Sequence, residues 1–187
     1  MSDPYLERFD VPAGWTVGDD PGVSGQITGG RYQMTLTASG QAYWATAGRR
    51  FGDGVYELEA SPLNGVLDNG YGMIFRLDEA GQAFYVFKVS SVGYAYIGRC
   101  AQGCAEQAAL VGEDWFVAPA VRQAHQVTNV LRVAADGQDM IFYVNDSEVG
   151  RASDATLAAG DIGLYAETFA PGGMQVVFDN FAVKPLP

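Results

Sequence analysis

Apolar and polar residues alternate with a period of two along much of this chain, and glycine, asparagine or aspartate interrupts the alternation at short intervals. Residues 30 to 37 (Gly-Arg-Tyr-Gln-Met-Thr-Leu-Thr) and 54 to 60 (Gly-Val-Tyr-Glu-Leu-Glu-Ala) carry the pattern, which predicts half-buried strands. Further strand signals fall at 71 to 77, 83 to 90 and 93 to 99. Asp78-Glu79-Ala80-Gly81 and Ser91-Val92 between them read as hairpin connections. In the second half, 127 to 135 and 139 to 145 flank the turn dipeptide Asp136-Gly137, and Asn145-Asp146-Ser147 turns into 148 to 152. Strands at 161 to 167 and 174 to 183 follow. In the last of these Met174, Val176 and Phe178 share one face, while Val177 shares the other with Gln175 and Asp179. A one-residue slip would bury a carboxylate, so the register is firmly set. No long window has a helical period, and 105 to 111 is the one stretch expected to hold a helical turn. About a dozen strands are too many for one ordinary open sheet and imply two antiparallel sheets packed face to face. The expectation is an all-β sandwich, one domain over residues 1 to 187.

Composition supports that class and narrows the partners. The 187 residues are 48% hydrophobic and 18% charged, which suits a packed core and argues against disorder. Acids outnumber bases 22 to 11, a net charge of −11. Such a surface repels phosphate backbones and anionic headgroups, so nucleic acid and membrane surfaces are poor candidates as partners. No apolar run approaches the roughly 20 residues of a bilayer crossing. Met1-Ser2-Asp3-Pro4 shows neither the basic nor the apolar region of a secretory signal. The chain is therefore expected to be either intracellular or a piece of a longer exported protein. Cys100 and Cys104 bear on that choice. Opposed hairpin positions lie roughly 5.5 Å apart at Cα, within disulfide reach. A hairpin staple, which implies an oxidising compartment, is favoured over two free thiols. The CxxxC spacing is not that of a redox pair, and a structural zinc finds too few ligands with His125 far off in sequence.

Catalytic motifs are scarce. His125 reads as a loop histidine, no Gly-x-Ser-x-Gly elbow occurs, and the Gly-x-Gly patterns near Gly22 and Gly25 lack a strand-loop-helix setting. Parity offers a binding surface instead. If Ala95 and Ile97 point into the core, Tyr94 and Tyr96 point away from it. With Met73, Phe75, Tyr85 and Phe87 inward, Arg76, Phe84 and Lys88 also point outward. Arg76, Lys88, Tyr94 and Tyr96 then share one sheet surface, where guanidinium donors and amphipathic rings suit a hydroxyl-rich ligand. The competing reading is an ordinary solvated face of cross-strand pairs. Of Trp15, Trp44 and Trp115, the last is the best ligand platform, since Glu113 and Asp114 place it on a polar loop.

The runs Tyr71-Gly72-Met73-Ile74-Phe75-Arg76, Phe84-Tyr85-Val86-Phe87 and Gly93-Tyr94 resemble the centre of concanavalin A-like, laminin-G-like jelly-roll domains of bacterial exported proteins. Leu131-Arg132-Val133, Tyr143-Val144-Asn145, Gly160-Asp161-Ile162-Gly163-Leu164-Tyr165-Ala166 and Phe178-Asp179-Asn180-Phe181 follow in the matching order. The resemblance spans roughly residues 5 to 184 and implies a two-sheet antiparallel jelly-roll β-sandwich whose concave face often holds glycans. The superfamily includes lectins, carbohydrate-binding modules, β-glucanases and 3-keto-disaccharide hydrolases, so the fold leaves function open. The β-glucanase branch carries a Glu-x-Asp-x-x-Glu strand. Glu57-Leu58-Glu59 lacks its third acid and reads as a solvated outer face. The resemblance also implies a structural calcium between Glu7 and Asp179 with carbonyls near Gly30, although Arg8 departs from the family's Asp-Asp-Phe start and offers a bridge to Asp179 in place of the metal. The expected function is a non-catalytic carbohydrate-binding module of an exported or surface protein, outside the cell, in a periplasm or at a cell surface, with Arg76, Lys88, Tyr94, Tyr96 and Trp115 facing the ligand. The alternatives are a hydrolase resembling the keto-disaccharide enzymes, and a protein-interaction or spacer domain.

Overall fold

The computed structural model describes residues 4–11, 14–78, 80 and 82–187. In chain order the strands are β1 Tyr5–Glu7, β2 Gly18–Asp20, β3 Val23–Thr28, β4 Arg31–Leu36, β5 Ala42–Thr46 and β6 Gly54–Gly65. They continue with β7 Gly70–Leu77, β8 Phe84–Ser90, β9 Tyr94–Ala101, β10 Glu106–Ala109 and β11 Phe116–Val117. The set closes with β12 Asn129–Asp136, β13 Asp139–Val144, β14 Ser147–Ser153, β15 Asp161–Glu167 and β16 Met174–Lys184. No helix occurs among the described residues. A nine-stranded sheet has the order β14-β13-β12-β6-β16-β4-β3-β2, with β1 also on β16. A seven-stranded sheet has the order β10-β9-β8-β7-β15-β5, with β11 also on β9.

The nine-stranded sheet obeys the alternation. Tyr56, Leu58 and Ala60 of β6 are buried, while Val55, Glu57 and Glu59 are half-exposed on its outer face. There Glu57 accepts from Lys184 Nζ at 3.1 Å and has Arg132 Nη1 at 4.0 Å. The inner faces of both sheets meet in one apolar cluster. Phe75 lies in it with ring centroids 5.3 Å from Tyr56, 5.3 Å from Tyr85 and 6.4 Å from Phe142. Each fully buried aromatic of this kind contributes about 1.5–3 kcal/mol. β16 keeps Met174, Val176 and Phe178 on the core. A bulge between Asp179 and Ala182, with Asn180 at φ +50°, rephases it so that Phe181 and Val183 stay there too.

The seven-stranded sheet departs from alternation. Every residue of β7 and β8 is buried, because both faces of this sheet are covered. The turns form as their residues dictate: Asn145 and Asp146 adopt φ +48° and +67° in the β13–β14 connection, and Gly137 φ +57° between β12 and β13. In the connection 78 to 81, Glu79 and Gly81 lie outside the described residues. The stretch 105 to 111 holds a strand rather than a helical turn: β10 pairs with β9 through Gln107 opposite Cys100 and Ala109 opposite Gly98. The short strands β1, β2, β3, β5 and β11 also lie beyond the segments picked out by alternation.

Candidate functional site

The outer face of the seven-stranded sheet is built from the positions that alternation sends away from the main core. Ala95, Ile97, Met73, Phe75, Tyr85 and Phe87 all join that core. Their neighbours therefore emerge on the far side, and strand register aligns them. Trp44 pairs with Tyr165, Tyr165 with Gly72, Gly72 with Lys88, and Lys88 with Tyr96. In the adjacent row, Glu167 pairs with Gly70, Gly70 with Ser90 and Ser90 with Tyr94.

At the centre of this face Lys88 Nζ lies 2.5 Å from Glu167 Oε1. Three rings surround the ammonium, with centroids 4.5 Å away for Tyr96, 5.3 Å for Trp115 and 5.2 Å for Tyr165. Such cation–π contacts strengthen where water is excluded, and Lys88 is only 2% exposed. Burial lowers the Lys88 pKa below its usual value, while Glu167 and then Asp114 act to hold it up. Burial raises the Tyr96 phenol, helped by Asp114 and Glu167, and raises Tyr165 more strongly. Tyr165 Oη donates to Glu167 Oε2 at 3.1 Å, so the carboxylate is held from two sides. Gly70 makes room for the arrangement. A Cβ there would stand 2.8 Å from Glu167 Oε1 and 3.1 Å from the tip of the Trp115 indole.

This face is a second apolar cluster. Ile74, Leu77, Phe84, Val86, Tyr96, Cys100 and Tyr165 are buried in it, with Trp44, Cys104, Ala109 and Trp115 packed against them. The covering segment, residues 102 to 115, is tied down by the Cys100–Cys104 disulfide, with Cα atoms 4.4 Å apart. Cys100 faces Gln107 in the ladder, so the bond closes the turn and does not cross between opposed hairpin positions. What remains open is a rim: Tyr94 is 40% and Phe169 39% exposed. Trp44 and Trp115 are half-buried, and Glu113 and Asp114 are exposed. Trp115 and Phe169 meet edge to face with centroids 6.1 Å apart.

Set beside the sequence expectation, Lys88, Tyr94, Tyr96 and Trp115 come together on this face, with Lys88 and Tyr96 beneath Trp115. Arg76 does not join them. It is fully buried at φ +52°. The ladder steps from Ile74–Gly163 to Leu77–Asp161, so the extra residue turns Arg76 to the core side and gives its outward place to Leu77. Its guanidinium bonds Gly137 O at 2.8 Å, Leu157 O at 3.1 Å and Asp53 at 2.9 Å. Tyr165, Glu167 and Phe169 escaped the sequence reading. The alternation of Gly163, Tyr165 and Glu167 on one face of β15 was the signal that pointed to the first two. Trp15 packs in the core against Phe9, Tyr32 and Phe181, and His125 Nε2 lies 2.9 Å from Gly65 O.

The residues expected to hold calcium lie at the β1–β16 junction, where Glu7 pairs with Phe181. Glu7 Oε1 accepts from Phe9 N at 2.7 Å, and Asp179 Oδ1 from Asn180 N at 2.7 Å. Burial raises the Asp179 pKa, and the Glu59 and Asp10 carboxylates add to this. Asp10 Oδ1 lies 3.6 Å from where a Cβ on Gly30 would be. The Asn180 amide and the Arg31 charge oppose the rise in the Asp179 pKa. No group of three or more His, Cys, Asp or Glu positioned to hold a metal occurs among the described residues.

No family model matches the chain, and none of the curated proteins matches it in sequence. Solved structures do. The carbohydrate-binding module CBM66 from Bacillus subtilis superposes with a TM-score of 0.71 at 18% identity, over 90% of this chain and 93% of that one. The Bacillus licheniformis β-glucanase gives 0.69 at 10% identity over 100% of each chain. A prokaryotic β-1,3-1,4-glucanase derived from a mouse hindgut metagenome gives 0.71 at 12% identity, over 98% and 99%. At these identities the likeness is one of fold: the chain is a concanavalin A-like jelly-roll β-sandwich.

Proposed function

We propose that the outer face of the seven-stranded sheet is a non-catalytic carbohydrate-recognition surface. The observation that carries this reading is the pair of half-buried tryptophans, Trp44 and Trp115, at a sheet face whose centre is the caged Lys88–Glu167 pair. Indole faces stack on the C–H faces of sugar rings, and the polar edges of Tyr94, Asp114 and Glu113 answer the hydroxyls. Lys88 and Tyr96 act beneath, holding Trp115 in place. The carbohydrate-binding module among the structural neighbours supports the reading. The disulfide suits an exported setting. No helix among the described residues is long and apolar enough to cross a membrane.

Hydrolysis is less well supported. It needs two carboxylates flanking a bond, one of them free to give a proton. Glu57 is engaged by Lys184 and Arg132, and Glu167 by Lys88 and Tyr165. Calcium remains part of the proposal, with Glu7 and Asp179 as its carboxylate ligands and carbonyls near Gly30 contributing, and its role is structural. The test of the main reading is calorimetry against soluble neutral and acidic polysaccharides with wild type and Trp115→Ala. The expected outcome is at least a tenfold loss of affinity in the variant with the fold retained by circular dichroism. Equal binding by both proteins, or no binding by either, overturns it.

A further inference from the structure

The charge arrangement around Trp115 points to the class of glycan, an inference that rests on the carbohydrate reading above. By register, the outward positions of β5, β15, β7, β8 and β9 carry one cation among the described residues, Lys88. It is spent internally: its ammonium lies 2.5 Å from Glu167 and is enclosed by Tyr96, Trp115 and Tyr165. An anionic sugar stacked on the open side of Trp115 would find no free ammonium beneath it. The charges it would meet are carboxylates. Glu113 and Asp114 immediately precede Trp115 and are exposed, and Asp114 is near enough to act on both Lys88 and Tyr96. The chain as a whole carries −11.

We infer that this face takes uncharged glycans and turns away uronate- or sulfate-bearing ones, with Glu113 and Asp114 as the residues that set the choice. Stacking depends on the sugar's apolar face and is the same for a neutral ring and its carboxylated derivative. Repulsion acts only on the derivative. It falls with salt, since charges more than about 10 Å apart are screened at 0.1 M. Selectivity here comes from a penalty on the wrong partner and not from an extra contact with the right one.

The experiment uses the whole chain and matched probes: mixed-linkage β-glucan, laminarin and dextran, each beside its carboxymethylated derivative, with polygalacturonate as a natural acidic polymer. Affinity is read by calorimetry at low and high salt. The expected result is binding to at least one neutral parent and at least tenfold weaker binding of its carboxymethylated form at low salt. That gap narrows at high salt and shrinks at least threefold in the E113Q/D114N variant. An acidic probe bound as tightly as the neutral one, or a gap untouched by E113Q/D114N, overturns the selectivity inference and leaves carbohydrate recognition standing. Binding to none of the probes overturns carbohydrate recognition itself.

Discussion

Lys88 and Glu167 meet across a strand that puts no side chain between them, since Gly70 and Gly72 occupy the intervening positions of β7. Removing one partner of such a pair leaves an uncompensated buried charge, whereas replacing both partners with apolar chains of similar volume is often neutral. Glu167→Ala and Lys88→Met are therefore each expected to cost about 3–5 kcal/mol, and the Lys88→Met/Glu167→Met double variant about 1 kcal/mol or less, as read by chemical denaturation. Their pH dependence also differs. Burial sets the folded Lys88 pKa below its unfolded value, so the unfolded chain holds that proton more tightly. The contribution of Lys88 to stability is thus least favourable below its folded pKa and rises as pH climbs through it toward the unfolded value. The difference in stability between wild type and Lys88→Met should shift in favour of wild type over that alkaline window. The pairing on β15 was open to the same parity that placed Lys88. Arg76 was not: nothing in Ile74-Phe75-Arg76-Leu77 announces an inserted residue, and the positive φ that reverses its direction is a product of how β15 meets β7.

The segment between β9 and β11 changes the character of a whole sheet face. Sequence alternation exposes the pattern of strands covered on one side, and β6 and β12 show it. β7 and β8 do not, because Trp44, Trp115, Cys104 and Ala109 cover the face that a simple sandwich leaves to water. Glu106-Gln107-Ala108-Ala109 lacks the β-branched and aromatic residues that mark strands, so its strand state is imposed by pairing with β9. The disulfide holds the start of this cover. In the chain-entropy view a loop this short is stabilised by about 2 kcal/mol. Reduction should lower the melting temperature by a few degrees, expose Trp115 as a red shift in tryptophan fluorescence, and weaken glycan binding along with it. An unchanged fluorescence spectrum on reduction would show that the cover stands without its staple.

At the scale of the molecule, the class was legible because it depends on sums: strand spacing, turn residues and the order of motifs. The proposed ligand face was only half legible, because its depth depends on what folds over it. The far end of the sandwich follows similar logic. Asp179 pairs with Glu59 where β16 bulges to rejoin the core and feels the charges of Glu59, Arg31 and Asp10. Millimolar calcium is expected to raise the melting temperature by several degrees, with magnesium less effective because it demands a tighter octahedral shell. Asp179→Asn should abolish the response. A calcium effect equal in wild type and Asp179→Asn would place the ion elsewhere.

One methyl group's worth of space decides how closely Glu167 and the Trp115 indole pack over β7. Position 70 is bare hydrogen, and a Cβ there would crowd both Glu167 and the tip of that indole. Alanine, serine or valine at that position would press first on Glu167 and then on the ring, so one bare position lets the charged pair and the indole share the same shelf.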